Sequence, residues 1–390
     1  MARLFNLLLQ DVRDRFTGNK SRANARLGLV RPPEGTGKLI WLVADDTFDS
    51  VLMASALLAA ISEKRLDVRL VLTYQAEYQD VIIEHMSGLK KIGFGFGCGD
   101  NKFAAQKMLK RLSPFAIIFV GSEPQKTLMH ALEKKPSIHK IAFQFRPKQQ
   151  AESAFYEACY PESISKNTIN TQTCDYTSGP FNVLTRLVQS QVDKQLGSML
   201  CGEAVNGLFH VHNIDEKNIG DMLSLWSKSD ISKQSLLALT FTNVNFNEIS
   251  SLKNQIIKFG YTPVLLSQWK QNPVSVNEII IADDEKWYAA LCTSSVSTHL
   301  FKTSAFYFWQ AVSSGAVVTL DEVNNAIADS FEDVLYRANT FVDVISYWSE
   351  LTNKPLLQRN TSDVIRKIFW SERRESEKQV NELLQRVYDW

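Results

Sequence analysis

Three carboxylates crowd one junction of the sequence. In "WLVADDTFDSVLMASALLAAI" (Trp41 to Ile61), Asp45, Asp46 and Asp49 stand where an apolar strand pattern gives way to a helical one. A carboxylate at the carboxyl end of a strand can take a proton from a hydroxyl as a general base. It can equally favour a helix N-terminus: Asp46 as N-cap with Asp49 three residues on reads as a weak capping box. Local sequence leaves both readings open. A second chemistry-bearing stretch is "TSSVSTHLFKTSAF" (Thr293 to Phe306), where Ser294, Ser295, Ser297, Thr298 and Ser304 precede a helical pattern. Hydroxyls and backbone N–H groups at a helix N-terminus suit a phosphate. A polar loop ending in a Ser/Thr cap is the structural alternative.

Other motifs carry less. His210 and His212 in "FHVHN" alternate, so both face one side of a strand. A lone pair of this kind is more often structural than a metal ligand. "ADDE" (Asp283, Asp284, Glu285) reads as a helix N-terminus, so no metal site is expected. "KIGFGFGCGD" lacks the GxGxxG turn of a dinucleotide site, and its glycines alternate with Phe94 and Phe96 as if to let a sheet face pack closely. "EGTGK" lacks the spacing of a phosphate-binding loop. Five cysteines, none in a CxxC pair, read as reduced thiols of a cytoplasmic protein.

These residues need elements to position them, and the chain supplies a regular alternation. "LIWLVAD", "VRLVLTY", "KIGFGFG", "FAIIFVGS" and "KIAFQFR" are strand patterns, separated by helical ones such as "EYQDVIIEHMSGL" and "KFAAQKMLKRL". A polar stretch and a helix over "FNVLTRLVQSQVDKQL" follow, and then "GLFHVHN", "SLLALTF", "TPVLLSQ", "EIIIAD" and "GAVVTL" resume the strands. Short apolar runs alternating with helices imply parallel sheets covered on both faces. The expected α/β architecture is two successive doubly wound, Rossmann-like domains with a cleft between them, in which ligands bind beyond the carboxyl ends of the strands. Its boundaries are residues 1–30 for an N-terminal amphipathic region, 31–200 and 201–365 for the two domains, and 366–390 for a C-terminal helix packing back on the first. At 390 residues, 45% hydrophobic and 22% charged, with net charge +1, the composition is that of a globular protein with no electrostatic call for nucleic acid. No apolar run reaches the ~20 residues of a membrane-spanning helix. Residues 3–16 are different: Leu4, Leu8 and Val12 share a helical face amid arginines. That pattern suits either contact with an anionic membrane surface or packing on its own domain.

With these residues in view, "RLGLVRPPEGTGKLIWLVADDTFDSVLMASALLAAI" resembles the opening of the Kdo transferases of lipopolysaccharide biosynthesis, two-domain GT-B glycosyltransferases that use CMP-Kdo. The resemblance continues weakly along the whole chain. Aligned on Trp41, it places Asp49 at the family's catalytic glutamate and Phe48 at the preceding glycine. "SPFAIIFVGSEPQKTL" matches a strand ending in glutamate-threonine-glutamate, with Glu123 at the second acid and Gly121 at the first. "IAFQFR" matches an asparagine-x-arginine strand end, with Gln144 substituted and Arg146 kept. These imply an acceptor side shaped by Glu123 and Arg146. "HVHNIDE" keeps Asn213, and "LALTFTNVNFNE" lies where the family has a serine-threonine-histidine loop, giving Thr240, Thr242 and Asn243. With the hydroxyls of 294–304, these form the implied donor site. Where the family has arginine-histidine-proline this chain has "SQWKQ", and Gln310 stands at a family glutamate. The function implied is transfer of an acidic sugar from a CMP-linked donor to a saccharide hydroxyl, with inversion and without metal or other cofactor. The setting implied is surface-polysaccharide assembly, in the cytoplasm or on the inner face of the bacterial inner membrane. The altered donor motifs leave two alternatives: a different nucleotide-sugar donor, or a non-catalytic binding protein of the same fold.

Overall fold

The computed structural model describes residues 20–75, 88–145, 155–160, 182–188, 195–202, 205–242, 246–301, 303–321, 331 and 333–390. The chain divides into two compact units, Met1–Arg186 with Arg374–Trp390, and Leu187–Arg373. The amphipathic segment 3–16 lies outside the described residues, as does most of the helix expected over "EYQDVIIEHMSGL". Among the described residues no helix is long and apolar enough to cross a membrane.

The first unit is built on β1 (Leu39–Ala44), β2 (Arg69–Tyr74), β3 (Ile92–Phe96), β4 (Ala116–Val120), β5 (His139–Phe143) and β6 (Ala158–Tyr160). They form one sheet in the order β3-β2-β1-β4-β5-β6. Every neighbouring pair is parallel, and Trp41 registers with Val71 on one side and Ile117 on the other. The central strands are buried along nearly their whole length, which is why they read as unbroken apolar runs. The one polar atom of the Trp41 indole is satisfied inside this core, its Nε1 donating to Thr73 Oγ1 at 2.8 Å. The helices are α1 (Lys20–Arg26), α2 (Phe48–Lys64), α3 (Lys102–Leu112) and α4 (Lys126–Glu133). Helix α2 is apolar almost all round because it touches the sheet and also a 3-10 turn at Asn182–Arg186. The "EGTGK" glycines belong to the turn that enters β1. Gly37 has φ +117°, and a Cβ there would lie 1.9 Å from the Asp67 carbonyl oxygen, so only glycine fits.

The second unit carries β7 (Gly207–His212), β8 (Ser235–Thr240), β9 (Thr262–Leu265), β10 (Glu278–Ala282), β11 (Ser297–Leu300), β12 (Val317–Asp321) and β13 (Tyr336–Ala338). Their order is β13-β12-β11-β7-β8-β10-β9, again parallel throughout. Helices α5 (Gln195–Cys201), α6 (Glu216–Lys228), α7 (Phe246–Lys258), α8 (Trp287–Ser294), α9 (Ala305–Ser314), α10 (Phe341–Asn353) and α11 (Pro355–Asp389) complete it. One core gathers Phe209, Trp226 and Trp348, with the Phe209 and Trp348 rings stacked at 4.7 Å. Such a pair is worth about 0.5–1.5 kcal/mol beyond the area it buries.

Four elements depart from the sequence reading. Part of the polar "TSSVSTHLF" stretch is strand β11, not a loop. Helix α10 and strand β13 were not anticipated. The helix expected over "FNVLTRLVQSQVDKQL" is instead the Asn182–Arg186 turn and the separate α5, with 189–194 outside the described residues. The C-terminal helix begins at Pro355 and runs unbroken for 35 residues, leaving one unit and ending in the other. Its last turns are tied into the first unit: Arg65 Nη1 donates to the Val387 carbonyl at 2.6 Å, and Gln144 Nε2 to Gln379 Oε1 at 2.9 Å.

Candidate functional site

In the first unit the strand order reverses between β1 and β4, and a doubly wound sheet opens a crevice at that point. A cavity of about 220 Å³ lies there, lined at the strand ends by Asp45, Asp46, Gln75, Glu123 and Gln125. No cationic side chain is among its described lining residues. The junction that carries the aspartates is fixed by short hydrogen bonds. Asp45 accepts from the Thr47 backbone N–H at 2.8 Å and from its hydroxyl at 2.7 Å. Thr47, not Asp46, is the N-cap of α2 and accepts from the Ser50 N–H at 3.2 Å. The Asp46–Asp49 capping box is therefore corrected: a threonine hydroxyl held by Asp45 sits closer to the helix's free N–H groups. Asp46 is left exposed on the cavity. Asp49 is the second helical residue, 9% exposed, and is not among the residues lining the cavity.

Ser50 binds this junction to β4, accepting from the Asp45 N–H at 3.1 Å and donating to the Val120 carbonyl at 2.7 Å. Gly121 follows with φ +80°, and a Cβ there would come 2.8 Å from Ser50 Oγ. The glycine where the resemblance has an acid is thus a steric requirement of this chain, and Glu123 two residues later reaches the cavity. Arg146 lies outside the described residues.

In the second unit the order reverses between β7 and β11. A cavity of about 380 Å³ opens beside it, lined by Phe241, Phe301, Asn213, Thr242, Gln255, Asp215 and Glu216. Asn213 joins the loops after β7 and β8: its N–H donates to the Thr240 carbonyl at 2.8 Å, and its Oδ1 accepts from the Thr242 N–H at 3.4 Å. It has φ +61°, a conformation asparagine tolerates better than most residues. Aromatic walls with a few placed amides suit a flat heteroaromatic base. The loop carrying Phe301 runs into α9. Ser304 holds the N-cap backbone conformation of that helix, yet its hydroxyl caps nothing. The hydroxyls of Thr303 and Ser304 are both buried without a hydrogen-bond partner among the described residues. The two hydroxyls stand at the positive end of a ten-residue helix, where the first N–H groups favour negative charge.

The remaining sequence candidates do not converge on these cavities. Thr240 is buried, its hydroxyl 2.7 Å from His210 Nε2 and 2.8 Å from His212 Nδ1. Burial pushes His210 down to about 3 and His212 well below the usual imidazole range, so both are neutral at pH 7. Ser297 and Thr298 belong to β11 and point to opposite faces. Ser297 Oγ accepts from Trp348 Nε1 and donates to the Val317 carbonyl, while Thr298 Oγ1 lies 3.4 Å from His210 Nδ1. Ser295 donates back to the Leu291 carbonyl, Ser294 is half-buried at the end of α8 against Gly197, and Gln310 Nε2 donates to Ser313. Asn243 lies outside the described residues. The alternation of β11 is the physical reason: each face of the strand is covered, so its hydroxyls are spent in the core. Phe241, Phe301 and Gln255 escaped the sequence reading, although the first two stand directly after strand ends. Among the described residues no group of histidine, cysteine and carboxylate side chains could hold a metal.

No protein-family model matches the sequence, and comparison with curated proteins finds no match. Solved structures do match over nearly the whole chain. MnaA of S. aureus, in a co-structure with UDP, superposes with a TM-score of 0.58 at 11% identity, covering 90% of this chain and 97% of that one. MurG of Acinetobacter baumannii gives 0.53 at 9% identity, covering 90% and 99%. The fold is GT-B. UDP-GlcNAc 2-epimerase from Neisseria meningitidis, bound to UDP-GlcNAc, matches this GT-B chain with a TM-score of 0.56 at 11% identity, over 89% of it and 100% of the epimerase.

Proposed function

We propose that this protein is a glycosyltransferase that moves a sugar from a nucleotide-sugar donor to a saccharide hydroxyl. The observation that carries the reading is in the second unit. Buried hydroxyls without hydrogen-bond partners among the described residues stand at the start of α9, next in sequence to a cavity walled by aromatic rings and amides. The base lies against Phe241 and Phe301, and the phosphate takes Thr303, Ser304 and the first N–H groups of α9. The acceptor occupies the first-unit cavity, whose carboxylates and amides accept hydrogen bonds from sugar hydroxyls. A carboxylate of the β1–α2 junction removes the acceptor proton. The acceptor oxygen then bonds the anomeric carbon as the bond to the donor phosphate breaks, with inversion. The departing phosphate is stabilised by the helix N-terminus rather than by a metal.

The donor is a CMP-linked acidic sugar of the Kdo or sialic acid type, in bacterial surface-polysaccharide assembly at the inner face of the membrane. The resemblance over residues 26–61 supports this. A UDP-sugar is the second reading, favoured by the ligands named for the MnaA and epimerase structures. A non-catalytic binding protein of this fold is the reading left if no transfer occurs.

The resemblance gives the base as Asp49, whereas the cavity favours Asp46. Asp46→Asn and Asp49→Asn, each checked for native circular dichroism, separate them. The variant that removes the base loses about 100-fold or more in turnover while the other retains most of it. Unchanged transfer in both excludes a base from this junction.

A further inference from the structure

The second unit holds another cavity, of about 470 Å³, beyond the ends of β11, β12 and β13. It shares the Phe301 ring with the cavity beside β7 and β11, but none of that cavity's polar lining. Helix α6 presents Asn218, Asp221 and Ser224 to it, three residues apart and so on one face. Strand β11 contributes His299 and β12 contributes Asp321. Phe341, from the start of α10, stacks on Phe301 with ring centroids 6.2 Å apart and planes at 23°.

His299 indicates that this is more than a polar surface hollow. It is 2% exposed, and its ring lines the cavity. Its Nδ1 lies 3.0 Å from Thr319 Oγ1, while Nε2 has no hydrogen-bond partner among the described residues. Burial lowers its pKa to about 4, so the imidazole is neutral at pH 7. With Nδ1–H donating to Thr319, Nε2 offers a lone pair to the cavity. Asp221 makes no ion pair or hydrogen bond among the described residues, and Asp321 is buried on the same lining. No cationic side chain is among the described lining residues. A phosphate or carboxylate would meet two carboxylates and a nitrogen lone pair, and would be repelled. A group rich in donors would be held.

We propose that this cavity binds an ammonium group carried on a hydroxylated carbon frame, an amino sugar in its unacetylated form, at a site beside the nucleotide's that shares Phe301 with it. An ammonium has three donors and no acceptor, which matches Asp221, Asp321 and His299 Nε2. Phe301 and Phe341 supply an apolar wall for the carbon frame. Asn218 and Asn339 are left for the hydroxyls.

The inference stands whether or not the transferase reading does. D-glucosamine, D-glucose and N-acetyl-D-glucosamine are titrated into the full-length protein at pH 7, with binding followed by saturation-transfer NMR and calorimetry. Glucosamine is expected to bind at least tenfold more tightly than either neutral sugar. Asp221→Asn, an exposed change on α6, and His299→Gln are each expected to weaken it about tenfold. CMP binding is expected to be unchanged in Asp221→Asn. Glucosamine binding no tighter than glucose overturns the proposal, as does binding unaltered in a folded Asp221→Asn protein.

Discussion

Thr240 has the hydroxyl and the strand-end position that a donor site asks for, yet its oxygen is held between two histidines. The same sequence feature, a polar residue near a strand's carboxyl end, serves Asn213 and Thr242 at a cavity and Thr240 in the core. The pleat decides which, and a one-residue shift reverses it. That is why Asn213, Thr242 and Glu123 line cavities while Thr240, Ser297 and Thr298, equally polar in the sequence, make their hydrogen bonds in the core. The buried histidines also set a pH dependence. In the unfolded chain they titrate near the usual ~6.5. In the fold His210 is held down at about 3 and His299 at about 4. Both pKa values are depressed, so the unfolded state takes up protons first as pH falls. The stability their neutral forms contribute is complete above ~6.5 and is lost progressively toward pH 4, by at most about 1.4 kcal/mol per pH unit for each histidine. Urea unfolding should therefore show a lower midpoint at pH 5 than at pH 7.5, and His299→Gln should flatten that dependence. Equal midpoints at the two pH values would mean that these imidazoles are not held neutral.

At the scale of elements, the sequence displayed what burial made uniform. Strands β1, β4, β8 and β10 are covered on both faces and so appear as plain apolar runs. β11 was hidden because "STHL" is buried through internal hydrogen bonds rather than by apolar composition. The start of α10 was readable in principle: Thr340 and Asp343 form a reciprocal capping box with the spacing the motif requires. The β4–α4 connection shows the reverse case, a glycine whose meaning only packing reveals. Gly121→Ala places a Cβ 2.8 Å from Ser50 Oγ in a left-handed backbone. It should cost about 2–4 kcal/mol from strain and overpacking combined. Gly88→Ala, also at positive φ (+89°) but with nothing within 4 Å, should cost only about 1 kcal/mol. Thermal unfolding of the two variants measures the difference. Equal losses would show that the Ser50 contact does not fix the junction.

At the scale of the whole molecule, the two doubly wound units were legible from the count and spacing of alternating runs. The GT-B fold follows from those sheets and from the solved structures that share it. The unit boundary was harder to place. It falls at Arg186 on the way out and inside a single helix, at Arg374, on the way back, because a continuous helical period carries no mark where its packing partner changes. The central claim is that the second unit binds a nucleotide through Phe241, Phe301 and the hydroxyls before α9. Calorimetric titration of CMP and UDP into the full-length protein and its Ser304→Ala variant tests it directly. Ser304 does not cap α9, so the variant should keep its stability while losing one hydrogen bond to phosphate, worth about 1.5 kcal/mol or roughly tenfold in affinity. The account predicts binding of CMP at least as tight as that of UDP, weakened about tenfold by Ser304→Ala. Tighter binding of UDP would overturn the CMP donor, and no binding of either nucleotide, or affinity untouched by the substitution, would contradict the site itself.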